Sequence, residues 1–183
     1  MIAYKGFNKG LRCRGYQFTM GLNVTEKAKA VACGFHCAED PLDCLSYYPD
    51  MESSEYYVVD AAGDVNEDGR DTKIACTELT IIKKMTKEEL VLHALAYMTD
   101  HPKRPSNHLV ERDRGQVRRY GFVIVRGEDP VAKGRRGDLL AFAKENTQGQ
   151  ICEVALVTVD GKKVKENKWY GVDLTQRQVA EDE

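Results

Sequence analysis

Apolar and polar positions alternate in short runs through the first eighty-odd residues. Arg14 to Met20 sets Tyr16, Phe18 and Met20 against Gln17 and Thr19, the period of a half-buried strand, and Gly21 closes it. Asp40 and Pro41 then suit the start of a short helix. Asp43 falls in its first turn, Leu42, Leu45 and Tyr48 recur at helical spacing, and Pro49 stops it. Tyr56 to Val59 and Ile74 to Ile82 read as two further strands joined by the acidic, glycine-containing stretch Gly63 to Asp71. Thr86-Lys87-Glu88-Glu89 has the form of a capping box. Leu90, Val91, Ala94, Leu95 and Met98 continue it as the apolar stripe of a longer helix ending near Asp100.

The two prolines between His101 and Asn107 cannot continue that helix, so the Arg-rich stretch to Arg119 is expected as a linker or long loop. Phe122 to Val125, Leu139 to Ala143, Ile151 to Val159 and Trp169-Tyr170 are the strands of a second module, with Asp160-Gly161 as a hairpin turn signal. The pattern predicts an α+β fold. Residues 1–85 form a β-rich N-terminal domain with a short helix, 86–119 the central helix and basic linker, 120–175 a small antiparallel β module, and 176–183 a frayed tail.

Composition changes this picture little. With 183 residues, 42% of them hydrophobic and 31% charged, the chain can bury a core without disulfide staples. The N-terminus lacks the apolar core of a signal peptide and no stretch has the apolar length of a membrane span. The expected location is therefore the cytoplasm, with no membrane partner. The six cysteines are then expected to stay reduced, mostly as small core residues.

Charge changes it more. Between Glu39 and Glu78, twelve acids face only Arg70 and Lys73, a net −10. Between Lys103 and Arg136, ten bases face four acids, a net +6. One chain with both can meet a basic protein and a polyanion. The candidate partner-binding residues are Asp50, Glu52, Glu55, Asp64, Glu67, Asp68 and Asp71. The candidate nucleic-acid-binding residues are Arg112, Arg114, Arg118, Arg119, Lys133, Arg135 and Arg136, whose guanidinium and ammonium groups can engage phosphates. The plainer reading of both runs is a pair of solvated surfaces that partly neutralise each other.

Few spacings carry catalytic or metal chemistry. Cys33, His36, Cys37 and Cys44 offer four zinc-type ligands, but no C-x-x-C pair is present, His36 and Cys37 are adjacent, and a buried strand and turn is the reading taken. Asp64-Val65-Asn66-Glu67-Asp68-Gly69 opens like a calcium loop, yet Ala75 stands where the closing bidentate glutamate belongs. Phosphate-loop, dinucleotide, nucleophile-elbow and HExxH patterns are all missing. No cofactor, metal or catalytic residue is assigned. One enzymatic alternative rests on Arg14, His36, Tyr48 and Glu78, whose order along the chain loosely resembles that of the ADP-ribosyltransferase fold. The resemblance implies that Arg14 and Glu78 share a cleft, with Glu78 stabilising a developing ribosyl cation.

Two stretches carry a further resemblance. Lys5-Gly6-Phe7, Cys13-Arg14-Gly15-Tyr16-Gln17-Phe18 and Gly34-Phe35-His36-Cys37-Ala38-Glu39-Asp40-Pro41-Leu42-Asp43 with Tyr47-Tyr48 resemble the N-terminal domain of an uncharacterised phage and prophage family. Val157 to Lys165 with Trp169-Tyr170 resembles the tail of its longer members. Length and architecture are also similar to an anti-CRISPR inhibitor of a type II CRISPR nuclease. That resemblance implies a phage-borne inhibitor of host defence whose partners are a host CRISPR effector nuclease and double-stranded DNA. A nucleic-acid-binding accessory protein is the remaining alternative.

Overall fold

The computed structural model describes residues 1–26, 34–67 and 72–179. Among the described residues strands make up 50% and helices 11%, so the architecture there is mostly β with two helices. It divides into two compact units, Met1–Ala94 and Leu95–Glu183.

The first unit contains β1 (Ile2–Asn8), β2 (Arg12–Cys13), β3 (Tyr16–Gln17), β4 (Gly21–Val24), β5 (Phe35–Ala38), α1 (Asp43–Tyr47), β6 (Ser54–Glu67) and β7 (Lys73–Lys84). β1 pairs with β6 along its whole length and with β5 on its other edge. β7 also pairs with both β6 and β5. The circuit β1, β6, β7, β5 therefore closes on itself, and inward-facing positions of all four strands meet in one core of Ala3, Phe7, Phe35, Cys37, Val59, Ala61, Ile74, Cys76, Leu79 and Ile81. Aromatic edges fill it, with Phe18 centred 5.1 Å from Phe7 and 4.8 Å from Phe35.

The expected strand from Arg14 to Met20 is here only Tyr16–Gln17. Arg14 and Gly15 take φ of +47° and +80° and turn β2 back on β3, and Gly21 opens β4 instead of closing a strand. The Gly63 to Asp71 connection is also shorter than expected. β6 runs on through Val65 opposite Cys76 to Glu67 opposite Ile74, and the remaining connection lies outside the described residues. α1 is positioned by its acids: Asp40 Oδ1 accepts the Leu42 N–H at 2.9 Å and Asp43 Oδ2 accepts the Thr72 hydroxyl at 2.6 Å.

The division between units falls inside α2 (Lys87–Asp100). Its capping box forms as the sequence predicts, Glu89 N–H to Thr86 Oγ1 at 3.1 Å and Thr86 N–H to Glu89 Oε2 at 2.9 Å.

The second unit holds β8 (Val110–Gln116), β9 (Phe122–Lys133), β10 (Leu139–Glu145), β11 (Ile151–Thr158), β12 (Trp169–Gly171) and β13 (Gln176–Arg177). The sheet runs β11, β10, β9, β12, β13, with β8 also on β9. Two expectations change. Val110–Gln116 is a strand where a linker was expected, and the sheet is mixed, because β9 runs parallel to both β8 and β10. Short connections between parallel strands are possible only because β8 and β9 double back together. Asp113, at φ +58°, sits over Gly127, where the register shifts, and Gly115 pairs with Ala132 yet lies against Val123 and Val125. Asp160-Gly161 does turn the chain, but β11 and β12 are not partners, so it is not a hairpin. Gln176–Arg177 of the expected frayed tail adds to β12 as a strand.

Candidate functional sites

A cavity of about 740 Å³ opens in the first unit. Arg14 reaches it from the β2–β3 turn, His36 and Cys37 from β5, and Tyr48 from the end of α1. Gly6 makes room for Tyr48: a Cβ there would lie 2.5 Å from the ring. The Tyr48 hydroxyl donates to Cys13 Sγ at 2.9 Å, and burial together with that thiol raises the phenol well above its ordinary range. Beneath them Lys5, 5% exposed, donates to the His36 carbonyl at 2.6 Å. Its ammonium lies 3.7 Å from Cys13 Sγ and over the rings of Phe7 and Phe18.

The second unit carries the other candidate site. Pairing of Tyr170 with Ala132 brings Trp169 beside the end of β9, and the Lys133 ammonium lies 4.6 Å from its ring centroid. The Arg114 guanidinium, from β8, lies 5.1 Å from the same ring. Arg119 sits over Tyr120, which stacks with Phe122. Arg118, Arg119, Arg135 and Arg136 are exposed, on the loop before β9 and the turn before β10. That turn is drawn by Asp138, whose carboxylate accepts the Arg135 N–H at 2.7 Å.

Residues 1–93 match a family described as Domain of unknown function (DUF7666). The chain belongs to this family. No curated protein and no solved structure shows significant similarity to it. The DUF7666 match ends one residue short of the Met1–Ala94 unit, so the closed strand circuit and its cavity are the family's domain, and the cationic surface lies outside it.

Within the DUF7666 domain the described acids expected to bind a partner have different surroundings. Asp50 lines the cavity and accepts from Ser53 Oγ at 2.6 Å and from the Glu52 N–H at 3.0 Å. Glu52 and Asp64 are exposed. Glu55 is mostly covered and paired to Lys84 at 2.6 Å. Glu67 ends β6, and Asp68 and Asp71 lie outside the described residues. Of the zinc-type set, Cys33 also lies outside them. His36, Cys37 and Cys44 all border the cavity, Cys37 and Cys44 as buried thiols, but among the described residues no three His, Cys, Asp or Glu side chains are grouped to hold a metal. Arg14, His36 and Tyr48 do line one cavity, but Glu78, on β7 opposite Val24 and Ala62, is not among its lining residues.

The cationic residues are placed more coherently. Arg114, Lys133 and Trp169 form one cluster, whereas Arg112 is committed in part to Glu145 at 2.6 Å. Glu145 also holds the buried Arg126, which donates to the Pro102 carbonyl at 2.8 Å; that base serves the interior. Sequence spacing missed Trp169 as a site residue, because the only signal tying it to Lys133 is the β9–β12 pairing. Lys162, Lys163, Lys165 and Lys168 were missed for the same reason. They are exposed on the loop after β11, which reaches back to the Arg135 turn through Asn167 N–H to the Gly134 carbonyl at 2.8 Å.

Proposed function

We propose that the protein acts by binding, and that the cationic surface of its second unit holds the phosphate backbone of nucleic acid. The arrangement of Arg114 and Lys133 on the Trp169 ring supports this. An aromatic plate with two cations beside it offers a stacking face and charge together, and the exposed Arg118, Arg119, Arg135 and Arg136 extend the charge over the neighbouring loops. Contacts of these cations to phosphate carry no sequence information, and their affinity depends on salt.

We further propose, from the resemblance of the DUF7666 region and the acid-rich stretch within it, that the protein is a phage-borne inhibitor of host defence. Its target would be a type II CRISPR nuclease, whose basic channels suit an acidic partner and whose substrate is DNA. The transferase reading is not favoured, because Glu78 is not among the residues that line the Arg14 cavity. The test is plasmid cleavage by a purified type II nuclease with guide, with and without stoichiometric protein, and co-elution on size exclusion. Inhibition with co-elution is the expected outcome. Unhindered cleavage without a complex removes the inhibitor reading. Duplex binding measured by anisotropy across a salt series then decides the nucleic-acid reading alone. Arg114→Ala with Arg118→Ala and Arg119→Ala is expected to flatten the salt dependence by about 0.9 in log–log slope for each phosphate left without its cation.

A further inference from the structure

The nucleophilic group of the DUF7666 cavity is a thiol. Cys13 is the half-buried last residue of β2 and lines the cavity. Two donors are aimed at its sulfur: the Tyr48 hydroxyl at 2.9 Å and the Lys5 ammonium at 3.7 Å. Hydrogen-bond donors and a fixed positive charge stabilise a thiolate against its thiol, which is how protein environments raise thiol reactivity. Lys5 is itself fixed, by the His36 carbonyl and by two aromatic faces, so its charge cannot swing away from the sulfur. From this geometry we propose that Cys13 is a reactive thiol that takes up low-molecular-weight disulfides from the cavity by thiol–disulfide exchange, with Tyr48 and Lys5 as positioning residues.

In this step Cys13 loses its proton to solvent and its sulfur bonds to one sulfur of the incoming disulfide. The disulfide's own S–S bond breaks and the second half leaves as a thiolate, so one disulfide replaces another and no further oxidant is needed. A cavity of this size suits a small-molecule disulfide.

The other described cysteines are placed differently. Cys37 and Cys76 are buried and hydrogen-bonded to each other. That bond and burial raise Cys37, the donor, and the same bond lowers Cys76, which is fully covered. Burial pushes Cys44 up to about 12. Cys152, exposed on β11 and donating to the Lys144 carbonyl at 3.4 Å, is a surface thiol and the internal reference.

The experiment treats the native full chain with 5,5′-dithiobis(2-nitrobenzoate), a small aromatic disulfide whose released thiolate is coloured, and maps the modified cysteine by mass spectrometry. The expected result is a fast phase located at Cys13, at least tenfold faster than Cys152, and absent in Cys13→Ser. Tyr48→Phe, with its fold checked by circular dichroism, should slow that phase several-fold and move the midpoint of its rate–pH profile upward, while Cys152 keeps both its rate and its profile. A fast phase that maps to Cys152 or Cys33, or that survives in Cys13→Ser, overturns the proposal. A Tyr48→Phe profile that superimposes on the wild type overturns the role of the hydroxyl.

Discussion

Gly115 shows how closely one residue can decide a fold. Its backbone pairs with Ala132, and the place where a Cβ would stand is 2.8 Å from methyl groups of both Val123 and Val125. The doubled-back path of β8 and β9 therefore depends on an absent side chain. Gly115→Ala should destabilise the protein by about 1–3 kcal/mol, the usual cost of overpacking, read as a lower urea midpoint. Nothing in the sequence around Val110 to Gln116 announces that strand. Arg112, Asp113 and Arg114 interrupt the apolar alternation, and the strand exists because β9 supplies its partners, a tertiary cause that local pattern does not carry. The same holds for Cys13: its sulfur stands out only for what Tyr48 and Lys5, at sequence distances of 35 and 8, bring to it.

At the scale of elements, the sequence is most legible where a signal is complete within a few residues. The α2 capping box is such a signal, and both of its reciprocal hydrogen bonds are present. Thr86→Ala removes one of them and should lower stability by about 1 kcal/mol, measured by denaturant unfolding, whereas Thr86→Ser should restore most of it. Strand ends were less legible, because β6 and β7 extend each other by mutual pairing well past their apolar cores. That ribbon carries the Glu55–Lys84 pair. The hydrogen bond from Lys84, aided by the Gly10 N–H, holds the Glu55 carboxyl below its usual range, and Glu55 in turn raises Lys84. A depressed carboxylate stabilises the fold above its unfolded value of about 4.3 and loses that contribution as pH falls through the folded value. Wild-type stability should therefore drop more steeply below about pH 4.5 than that of Glu55→Gln, in urea titrations run at successive pH values.

For the whole molecule, the charge asymmetry was visible in the sequence and the location of its two halves only partly so. The acid-rich stretch lies within the DUF7666 unit and the basic run within the other, as its position along the chain required. Composition did not reveal that Glu55 and Asp43 are taken up by internal partners, or that Arg126 is buried. Counting charges along a chain overstates what its surface presents.

The closed strand circuit of the first unit has one more consequence. Three of its four seams are several residues wide, while β1 meets β5 at Tyr4 opposite Ala38 alone, and there the Lys5 ammonium crosses to the His36 carbonyl as a cross-tie. A hoop parts at its narrowest joint, and this joint borders the thiol. In hydrogen-exchange measurements, the β1–β5 amides should open before those shared by β6 and β7, and Lys5→Met should widen the gap. The side chain that tunes the sulfur is then also the clasp of the hoop, and anything that draws the ammonium toward a modified Cys13 would loosen the barrel around it.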